Sequence, residues 1–148
     1  MTGTNTTWGS TGLRRTMLFW TFFQGFGALL GGTMGMLSPL GSWFGGESMV
    51  PQLQVLPFAD VLFQNLFVPA MLLAVVIGVG DLTAAFLILR HSRAGAWIAC
   101  LEGLVISTFT AVEFVVLGSN PLSDVYFFLG IAQFACGLLF LRSIPAEA

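Results

Sequence analysis

Residues 68–117 read VPAMLLAVVIGVGDLTAAFLILRHSRAGAWIACLEGLVISTFTAVEFVVL. Two apolar runs, 68–89 and 94–117, flank the basic segment Arg90-His91-Ser92-Arg93. Each run reaches or exceeds the roughly 20 residues an α-helix needs to cross bilayer hydrocarbon. So short a polar turn makes the two helices adjacent and antiparallel. The stretch therefore predicts a helical membrane hairpin with its basic turn at one surface.

Composition extends this reading to the whole chain. Of 148 residues, 56% are hydrophobic and 8% charged, where soluble domains carry about 45–50% and about 25%. Mean hydropathy is +0.90. So few charges cannot cover a water-facing surface, and the solvent is lipid. There is no lysine, and the five basic residues Arg14, Arg15, Arg90, Arg93 and Arg142 are too sparse for a nucleic-acid surface. Nucleic acid is thereby excluded as a partner. Cys100 and Cys136 both lie in apolar runs and suggest no disulfide framework or metal pattern.

Upstream, residues 1–13 are small and polar and read as a flexible cytoplasmic tail. A first span is expected over about 16–37, too long for the apolar core of a signal peptide. Ser38 to Asp60 is rich in glycine and proline and holds no basic residue. It is expected at the outer surface, partly as an interfacial or re-entrant piece, and is the natural lid or docking segment. Two starts are open for the second span. One has a short amphipathic approach over Asp60–Phe67 and a span over 68–89; the other is a long tilted helix from Val61, kinked at Pro69. Downstream, the spans are 94–117 and 125–141, separated by a turn over 118–124, with a cytoplasmic tail at 144–148.

The expected fold is all-α: a four-transmembrane-helix bundle over 14–143 with an extracytoplasmic loop between the first two helices. All five arginines then fall on one side, which the positive-inside rule makes cytoplasmic. A multi-pass inner-membrane protein with both termini inside follows.

Small residues mark where such helices can approach. Gly27, Gly31 and Gly35 repeat every four residues in the first span, Ala70, Ala74 and Gly78 in the second, and Gly103, Ser107 and Ala111 follow in the third. The first stripe suits packing inside the bundle or a dimer interface.

Ionisable groups within spans are costly and mark candidate sites. Asp81 lies nine residues before Arg90, and Glu102 nine after Arg93. Both sit about 13 Å from the turn at about 1.5 Å per residue, so they may face one another. Glu113 shares a helix face with Glu102, nearer the outer boundary. Two carboxylates close together in low dielectric do not both ionise easily, so the pair suits a shared proton or a cation. The alternative is that each is hydrogen-bonded and fixes helix register. Gln24, Thr83, Ser107, Thr108, Thr110 and Gln133 are the available partners. His91, alone of its kind, reads as a solvated turn residue. No nucleophile elbow, phosphate loop, zinc-protease or dinucleotide motif is present, so no catalytic residue, metal or cofactor is assigned.

The segments GMLSPLGSWFG (35–45), PFADVLFQNLFVPAMLL (57–73) and VEFVVLGSNPLSDVYFFLG (112–130) make the chain resemble a group of small bacterial four-helix integral membrane proteins. GDLTAAFLILRHSRAGAWIACLEG (80–103) is similar to DoxX-type proteins, which carry glutamate at the position of Asp81. The resemblance implies four helices and an accessory or small-ligand role, without a general catalytic assignment.

Three functional classes follow. The first is a non-enzymatic protein that binds a lipid or small hydrophobic ligand, or serves as an accessory subunit. The second is a small oligomeric proton- or cation-coupled transporter using the acidic pair, and the third is a membrane enzyme. Membrane lipids, a homo-oligomer or a larger membrane complex are the expected partners.

Overall fold

The computed structural model describes residues 10–118 and 121–145. It is all-helical, with no strand among the described residues. Most of the expected N-terminal tail, residues 1–9, and residues 146–148 of the C-terminal tail lie outside the described residues. The helical part starts before the expected boundary at 14, because α1 runs Thr11–Leu37.

The first turn of α1 closes through the Arg14 N–H and the Ser10 carbonyl at 2.9 Å. Its end comes at Ser38, whose N–H still bonds Met34 O, and Pro39 follows. The connection that follows carries two short helices, α2 (Met49–Leu53) and α3 (Ala59–Leu62). It is pinned at both ends. The Ser38 hydroxyl accepts the Trp43 N–H at 3.2 Å, and the Leu66 N–H donates to Pro39 O at 2.8 Å. Gly41 takes φ 78° where a Cβ would strike the backbone of Gly46, so only glycine fits this turn.

The second rod begins at Phe67, not Val61. Asn65 Oδ1 accepts the Phe67 N–H at 2.9 Å, an Asx turn that opens the helix. Pro69 sits in the first turn, where its missing N–H costs nothing. Residues 63–66 form a turn, so the expected amphipathic approach is not one continuous helix. The rod is composite: α4 (Phe67–Leu72), a π-helical segment (Leu73–Val79) and α5 (Gly80–Leu89). It ends in a Schellman-type cap. The Ser92 N–H bonds Leu87 O at 2.9 Å while His91 takes the left-handed position at φ 58°.

Helix α6 runs Arg93–Leu117 and α7 runs Pro121–Ser143. The fourth rod thus starts at Pro121, ahead of the expected 125, because proline suits a helix's opening position. Phe67–Leu89, Arg93–Val116 and Ser123–Ser143 are each long and apolar enough to cross a membrane.

The rods pack in a ring: α1 on the composite rod, α5 on α6, α6 on α7, and α7 back on α1. Three bonds join chain segments at one end. Ser10 N–H donates to Ser143 Oγ, an Arg14 nitrogen to Leu89 O, and Arg93 to Pro145 O. Arg90 and Arg142 belong to the same helix ends, so the arginines gather at one end of the bundle. Beneath them lies the larger apolar core, including Met17, Ala84, Ile88, Ala99 and Phe140.

Close approach is set by small residues, but the α1 face differs from the expected stripe. Gly35 does face the second rod, since a Cβ there would come 2.6 Å from Ala70 Cβ. Gly27 instead looks toward Tyr126, and Gly31 is exposed. The contacting face is Gly25, Ala28, Gly32 and Gly35; a Cβ on Gly32 would come 2.6 Å from both Ala70 O and Ala74 Cβ. Spacings of three and four alternate along a packed helix seam, and a strict four-residue repeat drifts off it. Ala70, Ala74 and Gly78 are all buried in the second rod. Helices α6 and α7 also pack backbone to backbone. A Cβ on Gly103 would lie 2.5 Å from Phe134 N, and one on Gly130 would lie 2.6 Å from Ser107 Oγ.

The outer surface is apolar. Phe26, Leu30, Val75, Phe86, Trp97 and Phe128 are all exposed. A surface of this kind is stable against lipid and aggregates in water.

Candidate functional site

The five sequence-derived candidates fall into two groups in the structure. Asp81, Gln133 and Gln24 form one continuous hydrogen-bonded chain, with Glu102 beside it. Glu113 lies elsewhere, in a cavity.

Gln133 of α7 is the junction. Its Nε2 donates to Asp81 Oδ1 at 2.7 Å and to the Ala99 carbonyl at 3.0 Å. Its Oε1 accepts from Gln24 Nε2 at 2.6 Å. One amide therefore ties α1, α5, α6 and α7 together, using both of its N–H groups. Gln133 and Asp81 are 0% exposed and Gln24 is 1% exposed. Such a network is worth most where no water competes.

Not every oxygen in it is satisfied. Asp81 Oδ2, Gln24 Oε1 and Glu102 Oε2 are buried acceptors without a hydrogen bond. Glu102 is half-buried on α6 and close enough to Asp81 for the two to interact electrostatically. Gly80 makes room for it, since a Cβ at that position would collide with the Glu102 carboxylate. The other partners open to these residues are committed within their own helices. Thr83, Ser107, Thr108 and Thr110 each donate to the carbonyl four residues back.

The π-helical segment lies immediately before this site and shapes what is above it. Helix α6 packs closely on α5 but barely touches the π-helical segment. The second rod and α6 thus diverge from the level of Gly80 and Asp81 toward the arginine-free end. Wide π turns are recurrent at functional positions in helices.

The space opened by this divergence is a cavity of about 750 Å³, within the size range of small-molecule sites. Gly31, Met34 and Gly35 of α1, Ala70 of α4, Leu73 of the π-helical segment, and Phe109 and Val112 of α6 form its walls. Met49, Leu53, Leu56, Leu62 and Phe63 of the connecting segment roof it. Glu113 faces this space and accepts a hydrogen bond from Ser123 Oγ at 2.7 Å through Oε2. Phe58, at the base of the roof, holds φ 64° while 76% exposed. For a bulky residue that backbone conformation is strained.

Sequence reasoning named Glu113 and the lid-like connection but missed the cavity between them. The available signal was the apolar content of residues 40–58, where leucines and phenylalanines interrupt the turn formers. Both cysteines are free thiols, with Cys100 seated against Gly137 in the α6–α7 contact.

No known protein family matches the chain, and neither a curated protein nor a solved structure is significantly similar to it.

Proposed function

We propose that the chain is a four-span inner-membrane protein, with its arginine-bearing end cytoplasmic, that holds a lipid or small hydrophobic ligand in the roofed cavity. The cavity is the observation that carries the ligand reading. It is bordered by helices and by the connecting segment while remaining partly open at the surface, and its lining is almost wholly apolar.

Three spans rest on length and apolarity. The case for α1 as a fourth rests on which way its residues face. Between Met17 and Leu37, α1 buries Thr21, Gln24, Gly25, Gly32 and Gly35 inside the bundle. Its exposed face carries Phe19, Phe22, Phe23, Phe26, Leu30 and Leu37. Average apolarity is thus diluted by residues that lipid never meets. At about 1.5 Å per residue its 27 residues extend about 40 Å, more than the roughly 30 Å of bilayer hydrocarbon.

The test is binding of a fluorescent dodecyl probe to protein in nanodiscs, with Gly31→Phe as the blocked variant. Gly31 borders the cavity, and a Cβ there meets only Leu73 Cδ2, at 3.8 Å. The new ring occupies the space without pushing backbone apart. A loss of about tenfold or more in probe affinity is expected, equivalent to about 1.4 kcal/mol. Equal binding by both proteins removes the ligand reading.

The buried polar network favours a second reading, proton- or cation-coupled transport. Its three unpartnered oxygens sit where each is costly to leave unsatisfied. In liposomes, this reading expects Asp81→Asn and Glu102→Gln to abolish ion flux while the fold survives. Wild-type protein that supports no flux above protein-free liposomes rules it out.

A further inference from the structure

Resting on the ligand reading above, we propose the chemical class of that ligand: an amphiphile with an apolar body and a hydrogen-bond-donating head, an alcohol or an amine, that donates to Glu113.

Among the described residues lining the cavity, Thr108 and Glu113 alone carry polar side chains. The Thr108 hydroxyl already donates to Leu104 O at 2.9 Å. Glu113 lines the cavity and accepts from Ser123 through Oε2, and its Oε1 makes no hydrogen bond among the described residues. A carboxylate is an acceptor only, so the head that complements it must donate. An apolar wall with one polar group is the arrangement that fixes a ligand's orientation.

Charge narrows the class further. The chain has no lysine, and its five arginines gather at the opposite end of the bundle. The residues roofing the cavity carry no cation. A phosphate, sulfate or carboxylate head would meet the Glu113 carboxylate in low dielectric with nothing to compensate it. Anionic lipids and fatty acids are therefore disfavoured, while neutral and cationic donors fit.

Displacement of the fluorescent dodecyl probe by dodecanol, dodecylamine, dodecanoate and dodecane tests this in zwitterionic nanodiscs. Wild-type protein is expected to bind dodecanol and dodecylamine at least about tenfold more tightly than the other two. Glu113→Leu brings dodecanol to the level of dodecane. Glu113→Gln retains an acceptor oxygen, so it keeps the alcohol preference but loses the preference for the amine. Retained probe binding shows that a variant is folded, and Glu113→Gln carries the test should Glu113→Leu fail to fold. Dodecane or dodecanoate binding as well as dodecanol to wild type overturns the proposal, as does an alcohol preference that survives Glu113→Leu. In those cases the cavity still binds the probe and the ligand reading stands. If Gly31→Phe leaves probe binding unchanged, that reading falls as well, and the head-group proposal with it.

Discussion

Replacing Gln133 with leucine removes the junction of the bundle while keeping its volume nearly constant. Three hydrogen bonds are lost: to Asp81, to Ala99 O and from Gln24. Inter-helix hydrogen bonds in membranes average about 0.6 kcal/mol, which sets a floor of about 2 kcal/mol for the three. Counted instead as groups left unsatisfied, the substitution strands Asp81 Oδ1 and Gln24 Nε2 in the buried interior, at about 1–2 kcal/mol each. The expected loss is thus about 2–4 kcal/mol. Reversible unfolding from mild detergent into dodecyl sulfate, followed by tryptophan fluorescence, measures it. Thr108→Val is the control, because its bond is to its own helix, and it is expected to cost under about 0.5 kcal/mol. Adding Asp81→Leu to Gln133→Leu should recover part of the loss, since removing both partners is cheaper than stranding one. If Gln133→Leu costs no more than Thr108→Val, or if the double variant is simply additive, the network is not holding the helices together.

Gly103→Ala should destabilise by about 1–2 kcal/mol net, as overpacking of about 1–3 kcal/mol exceeds the helix propensity gained; the obstacle is the backbone of Phe134 and Gly130. Gly80→Ala makes the same chemical change against the movable end of Glu102, so its thermal midpoint should stay at or above wild type. A result in which the two variants melt alike contradicts the packing described. Cysteines placed at Ser10 and His91 should both be labelled by an impermeant maleimide from the cytoplasmic side, and one at Ser42 from the opposite side. Labelling of Ser10→Cys and His91→Cys from opposite faces excludes an even number of crossings by α1 and the second rod.

The apolar length of 68–89 and 94–117 made the helices legible because a membrane span must satisfy its backbone internally. Arginine placement likewise exposed the common end of the bundle. Asp81 and Gln133 were visible as intramembrane polar groups, yet their pairing was not, since 52 residues separate them and no local rule couples such positions. The glycine face of α1 was legible only in part, for a related reason. Gly27 and Gly31 satisfy the small-residue spacing as well as Gly25 and Gly32 do, and only the partner helix decides between them. The π-helical segment had no signature, because Leu73–Val79 is a sequence equally suited to an ordinary helix. Without it the divergence of the second rod from α6, and therefore the cavity, could not be anticipated.

The bond between Gln24 and Gln133 also constrains biogenesis. During synthesis, α1 is complete long before the residue that satisfies its glutamine exists, with 109 positions between them. Until α7 packs against them, Gln24 and Asp81 lack the amide that joins them. Chains truncated within α7 ahead of Gln133 leave these two groups without the amide that joins them. Such fragments should be recognised as orphaned and degraded, so that the arrival of Gln133 reports whether Gln24 and Asp81 have found their partner.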